Sequence, residues 1–221
     1  MAPRLYCCLA SGNCYKIRLL GSLLDIDLEE VEVDLFANAQ KSPDFLAINA
    51  KGELPTLVDG DDKVFTDSSA IMVYLAGTRP DRGSQTTMAP SSYWSSDVVE
   101  QAQIVDWLAF AACDIHVGLA KARAIVAFDW PPGTSEKTLD EARRKGVASL
   151  QVLEQRLRRE TWLALGRPTI ADIAVYVYVA LAPMGGVSLE PFPAVKAWLA
   201  RVAQLPGYIG PDGLDQPLQK R

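Results

Sequence analysis

The hydrophobic pattern of this chain changes period once, and that change divides it into two unlike parts. In the first third, strand-length and helix-length patterns alternate. Residues 5–9 form a short apolar run, and Ile17, Leu20 and Leu24 recur at helical spacing after the loop Ala10-Ser11-Gly12. Val31, Val33 and Leu35 then alternate strictly with Glu30, Glu32 and Asp34, the period of a half-buried strand. A second helix is expected over 42–48. Thr56-Leu57-Val58 and Lys63-Val64-Phe65 flank the turn-rich Asp59-Gly60-Asp61-Asp62 as a hairpin, and a third helix starts at Asp67-Ser68. The order is βαβαββα.

Residues 77–90 are rich in Gly, Pro, Ser and Thr and read as a linker, after which every pattern is helical. A long apolar-periodic helix is expected over 98–128, an amphipathic one rich in Arg and Glu over 139–157, a buried one over 170–182 and a last one over 194–204. A length of 221 residues suits one small domain and one medium one. The expected division is an α/β domain over 1–78, a linker over 79–90 and an all-helical domain over 91–221.

Composition removes several function classes. The net charge is −5 with both signs interspersed, which leaves no basic footprint for nucleic acid or an anionic membrane surface. The first residues lack the pattern of a secretory signal, and no apolar run approaches the ~18 residues of a membrane span, so the cytosol is the expected location. Cys7, Cys8, Cys14 and Cys113 form no CxxC pair and have no metal-ligand spacing with the single His116. They read as free thiols, and no metal site is expected.

Three short motifs carry chemistry. Pro55, in Glu53-Leu54-Pro55-Thr56-Leu57, sits at the start of a strand, where its missing N–H and fixed φ suit an edge. Asp67-Ser68-Ser69-Ala70-Ile71 opens a helix whose first N–H groups can receive a carboxylate or simply be capped. Thr169-Ile170-Ala171-Asp172 has the spacing of a capping box, a structural device.

The runs Ser11-Gly12-Asn13-Cys14-Tyr15-Lys16-Ile17-Arg18, Glu53 to Leu57 and Asp67-Ser68-Ser69-Ala70-Ile71-Met72-Val73-Tyr74-Leu75, in this order, resemble the amino-terminal domain of cytosolic glutathione transferases. The Thr169–Asp172 box and the run from Pro193 to Val202 are similar to that family's second domain, so the resemblance covers nearly the whole chain. It implies a thioredoxin-like domain that binds glutathione, an all-helical domain that holds an apolar second substrate, and a homodimer. It implies a cis Pro55 that presents the Leu54 backbone to the cysteinyl part of glutathione, Ser68 on the γ-glutamyl carboxylate, and Asp67 either near the γ-glutamyl amino group or as a helix cap. Gln40, Lys41 and Lys51 are the candidates for the glycyl carboxylate.

Catalysis in such a family requires a stabilised thiolate, and a hydroxyl at a helix start supplies a charge-assisted hydrogen bond together with the helix dipole. Ser11 ranks first as that donor and Asn13 second, followed by Cys14 and Tyr6. The second substrate is expected between Leu9-Ala10-Ser11 and the long helix, with Phe110 and Asp114 as pocket candidates, while Trp107 and His116 read as structural. The function implied is addition of the glutathione thiol to a soft apolar electrophile. Three alternatives stand beside it: a cis/trans isomerase that recycles glutathione, a non-catalytic glutathione-binding or dimerising module, and a disulfide reductase using Cys14.

Overall fold

The computed structural model describes residues 2–79, 91–211 and 213–214. The first part is a four-stranded mixed sheet with helices packed on it. Strands β1 (Arg4–Cys7), β2 (Glu29–Glu32), β3 (Thr56–Val58) and β4 (Val64–Thr66) lie in the order β2-β1-β3-β4. The β1–β2 pair is parallel and the other two pairs are antiparallel. Helices α1 (Gly12–Leu23), α2 (Pro43–Ile48) and α3 (Ser68–Thr78) complete the thioredoxin-like βαβαββα order.

Strand β2 is shorter than its alternation suggests. It is an edge strand pairing only with the four residues of β1, and at Asp34 the chain turns: Phe36 N and Ala37 N both donate to the Asp34 carboxylate. Its glutamates protect the free edge from further pairing. Leu5, Cys7 and Leu57 pack under Ile17, Leu20, Ile71 and Leu75, all fully buried. Of the linker-like stretch 77–90, Gly77 and Thr78 instead complete the last turn of α3 and Arg79 follows it; the remaining expected linker lies outside the described residues. Ser91 then returns to that helix, its backbone N–H and its hydroxyl both donating to Ala76 O.

The second part is helical throughout its described residues. One continuous helical run, Val98–Phe128, comprises α4 (Val98–Phe110), a π-helical stretch (Ala111–Ala120) and α5 (Lys121–Phe128). Helices α6 (Glu136–Leu157) and α7 (Ile170–Ala180) pack against it, and α8 (Pro193–Val202) packs on α6 and α7. Contrary to the sequence reading, Val98–Phe128 is long and apolar enough to cross a membrane, with a mean hydropathy of 1.2. Its role is visible in its packing: Ile104, Leu108, Ala111, Ile115 and Leu119 are buried in the common core with α7.

Helix α7 is buried along nearly its whole length, as an apolar helix without a polar face must be. Its start is held by the capping box: Thr169 N donates to the Asp172 carboxylate at 3.0 Å, and the Thr169 hydroxyl oxygen accepts from Ala171 N at 3.3 Å. The same carboxylate accepts from Leu163 N at 3.1 Å and from Trp198 Nε1 at 2.9 Å, tying α7 to α8. Burial pushes the Asp172 carboxyl up to about 6.

Candidate active site

Strand register decides where the chemistry gathers. Tyr6 faces Thr56 across one ladder, and Thr56 faces Thr66 across the next. The loop after β1, the Leu54-Pro55 step before β3 and the Asp67-Ser68 step after β4 therefore emerge at one end of the sheet. Because β2 runs parallel to β1, the segment leading to Gln40 and Lys41 leaves from that end too.

Ser11 is the N-cap of α1. Its backbone is extended, and its hydroxyl oxygen accepts from Cys14 N at 3.3 Å. A capping hydroxyl uses a lone pair and keeps its proton, so the Ser11 O–H remains able to donate to an anion beside the helix start. Ser11 N donates to Cys8 O at 3.0 Å, which closes the loop. Asn13 follows in the first turn and is half-buried. Leu9 is 49% exposed and Ala10 half-buried, so the loop offers an apolar edge next to the cap.

Leu54-Pro55 is a cis peptide, and Leu54 lies just beyond the last residue of the β3 ladder. Asp67 holds a positive φ of 72° and caps α3 by accepting from Ser69 N at 2.7 Å. A left-handed aspartate is uncommon. Here it turns the chain sharply from β4 into α3 and leaves Ser68, 6% exposed, as the first helical residue.

The glycyl-side candidates divide. Gln40 is buried, and its Oε1 has no hydrogen-bond partner among the described residues. Lys41 Nζ donates to Lys51 O at 3.0 Å, and Lys51 Nζ to the Thr66 hydroxyl at 3.1 Å. Both lysines are thus tied to the same loop corner beside β4.

Cys14 is fully buried and its thiol accepts from Cys8 N; burial pushes it up to about 12. A thiol so placed is neither accessible nor ionised at neutral pH. Tyr6 packs edge-on against Phe45, with centroids 5.9 Å apart, and belongs to the contact between strand and α2.

Phe110 stacks edge-on with Trp107 at 5.3 Å, both half-buried, and Asp114 is exposed on the π-helical stretch. Helical spacing in the sequence puts Trp107, Phe110, Ala111, Asp114 and Ile115 on one face; the structure splits it, with Ala111 and Ile115 turned into the core and Asp114 exposed. The hydrogen bond between the Ser11 loop and the helical run comes from Arg123, whose Nη1 donates to Ala10 O at 3.2 Å.

Four residues gather at the helix start; the sequence reading gave no role to Gly12, Lys16 or Tyr178 and took His116 as structural. Gly12 lies so close to α7 that a Cβ there would stand 2.7 Å from Tyr178 Cε1 and Cζ. Burial holds the Tyr178 phenol at about 12. Lys16 is 3% exposed, its Nζ 5.3 Å from the Tyr178 ring centroid; burial lowers it to about 8, against the opposing pull of Asp67. His116 stands edge-on to the same ring at 6.4 Å, lowered by burial and by the Lys16 charge. A glycine inside a helical pattern was the available signal for a close approach. The buried cations gave none, because lysine and arginine are ordinarily exposed.

A thioredoxin-like domain whose loops converge on a serine-capped helix, closed by an all-helical domain, defines the class of protein. Comparison with known sequences matches two family models along the chain. The family described as glutathione S-transferase, N-terminal domain, matches residues 10–78, and that described as glutathione S-transferase, C-terminal domain, matches residues 111–206. The chain is 30% identical to glutathione S-transferase 3 of Zea mays over 214 residues, covering 94% of this chain and 92% of that one. It is 28% identical to glutathione S-transferase GstA of Escherichia coli O157:H7 over 181 residues, covering 81% and 83%. A crystal structure of a glutathione S-transferase from Xanthobacter autotrophicus Py2 superimposes with a TM-score of 0.85 at 33% identity, covering 96% of this chain and 98% of that one. The chain belongs to the glutathione S-transferase family of enzymes.

Proposed function

We propose that this enzyme binds glutathione at the shared end of its sheet, ionises its thiol beside Ser11, and adds that thiol to a soft apolar electrophile. The observation that carries the reading is the convergence of three unlike contacts at one sheet end: the hydroxyl at the start of α1, the Leu54 backbone beyond the β3 ladder, and the buried Ser68 at the start of α3. An extended tripeptide needs that combination, because its thiol, backbone and α-carboxylate are each recognised by a different group.

In this reading Ser11 donates to the thiolate, with Asn13 as its neighbour in the first turn. Leu54 pairs with the cysteinyl backbone, Ser68 receives the γ-glutamyl carboxylate, and Asp67 shapes the turn that presents it. Gln40, Lys41 and Lys51 bound the glycyl end. The electrophile lies between the Leu9-Ala10 edge and the helical run, with Phe110 and Asp114 further along that wall. The sulfur forms one bond to the electrophilic carbon as a leaving group departs or a double bond takes up the electron pair.

The buried Cys14 speaks against the disulfide reductase, since its thiol has neither access nor thiolate character. All four cysteines are unpaired, which favours a reducing compartment such as the cytosol. A homodimer is supported by the outer face of α4, where Val98, Ala102, Val105 and Ala109 follow helical spacing and are exposed, Val98 by 73%.

The test is retention on immobilised glutathione together with turnover across a panel of halides, epoxides and activated alkenes. Retention with turnover supports the transferase, and retention with no turnover on any member would reduce the protein to a binding module. Supplying a conjugated carbonyl with substoichiometric glutathione separates the isomerase: conjugation caps product at the glutathione added, whereas multiple turnovers per glutathione would show isomerisation.

A further inference from the structure

We propose that Arg123 is a positioning residue that fixes the Ala10–Ser11 peptide and, through it, the hydroxyl of Ser11. The proposal rests on Ser11 serving the thiolate. Arg123 lies on α5, in the helical domain, and is 4% exposed. No ion pair reaches it among the described residues, although a buried guanidinium is costly to desolvate and is normally matched by a carboxylate. What surrounds it instead is backbone and an aromatic face. Nη1 donates to Ala10 O at 3.2 Å, Nη2 donates to Leu214 O, and the guanidinium carbon stands 4.7 Å from the Phe128 ring centroid. Nε is buried with no hydrogen-bond partner among the described residues.

The consequence follows from peptide planarity. Ala10 O and Ser11 N belong to one rigid plane. Arg123 holds the oxygen edge of that plane, while Ser11 N donates to Cys8 O at 3.0 Å and holds the nitrogen edge. With both edges held, the Ser11 N–Cα bond is fixed; Tyr15 N donates to Ser11 O at 3.0 Å and holds the other side of the residue at φ −85°, so the Cα–Cβ bond is aimed and the hydroxyl stays where it caps α1. The other arm of the fork anchors Leu214, which is fully buried near the carboxyl end of the chain. One side chain of the second domain thus joins the thiolate-stabilising loop of the first to the carboxyl-terminal segment. A planar fork holds two separated carbonyls in fixed directions from two different nitrogens, which the single nitrogen of a lysine on its flexible stem does not reproduce.

The experiment compares Arg123→Met, Arg123→Lys and Ser11→Ala in the full chain. It measures steady-state kinetics, the ultraviolet titration of bound glutathione, and amide hydrogen exchange across residues 8–14. Arg123→Met is expected to lower kcat by about 10- to 100-fold, the scale of a misplaced catalytic group. The KM for glutathione should stay within about threefold, since binding energy shared by ground state and transition state is untouched. The bound-thiol pKa should rise, and exchange at 8–14 should quicken. Arg123→Lys, which keeps the charge and one hydrogen bond, should fall between, and it carries the test if the methionine variant does not fold. Unchanged exchange at 8–14 in a folded Arg123 variant would overturn the proposal. So would an unchanged bound-thiol pKa in that variant when Ser11→Ala raises it. If Ser11→Ala leaves the thiol pKa unmoved, the reading of Ser11 fails separately, and faster exchange alone still marks Arg123 as holding the loop.

Discussion

Replacing Ser68 with alanine separates a ligand contact from a helix cap, because the structure assigns those two tasks to different residues. The cap of α3 is Asp67, whose carboxylate accepts from Ser69 N at 2.7 Å. The Ser68 hydroxyl takes no part in that bond and is buried at the first helical position, facing no described hydrogen-bond partner. Its removal therefore leaves the cap intact and puts a good helix former in place, so stability should change by less than about 0.5 kcal/mol. A hydrogen bond to a carboxylate is worth about 1.5 to 3 kcal/mol, which is roughly a 10- to 160-fold weaker glutathione Kd. Titration calorimetry of both proteins with glutathione, beside thermal melts of each without ligand, reads the two quantities separately. Equal affinities would show that Ser68 does not touch the ligand. A lowered Tm accompanied by weaker binding would show that the hydroxyl supports the fold, which refutes the division of labour.

Other predictions concern the two helix starts and the outer face. Gly12→Ala should cost about 1 to 3 kcal/mol and lower turnover, since its Cβ would meet Tyr178 at 2.7 Å and push α1 off α7; an unchanged urea midpoint and rate would contradict that contact. Asp172 has a folded pKa of about 6, above the 3.8 of the free group. For an acid raised on folding, the folded state takes up the proton first, so its stabilising share is complete below the lower value and lost as pH rises through the higher. Wild type should gain up to about 3 kcal/mol relative to Asp172→Asn between pH 7 and pH 4, read by urea unfolding at each pH; a gap that shrinks on acidification would reverse the sign. Val105→Glu should shift the protein toward monomer in sedimentation at micromolar concentration, because a carboxylate would enter the apolar stripe on α4; an unchanged sedimentation coefficient would place any dimer contact elsewhere.

What the sequence disclosed was local in its physics. The alternation through Val31 and Val33, the hairpin turn at 59–62, the helix start at Asp67 and the box at Thr169 and Asp172 each depend on residues close along the chain, and each is present. The register between strands brought Ser11, Leu54-Pro55 and Ser68 to one end, and a ladder of three residues leaves little trace in composition. The π-helical stretch at Ala111–Ala120 was not legible either. Its residues are ordinary for an α-helix, and along it Asp114 is exposed while Ile115 stays in the core. Lys16 and Arg123 were hidden for a different reason. Their burial is granted by partners far along the chain, Tyr178 for one and Ala10 and Leu214 for the other.

The central claim is that the start of α1 holds glutathione as a thiolate through the Ser11 hydroxyl. Ultraviolet titration of bound glutathione, following thiolate absorbance against pH in wild type and Ser11→Ala, tests it most directly. A charge-assisted hydrogen bond of about 1.5 to 3 kcal/mol corresponds to a shift of about one to two pKa units. The account predicts a wild-type bound thiol already ionised near neutral pH and a rise of that size in the variant. A bound thiol that titrates like free glutathione in both proteins would contradict it.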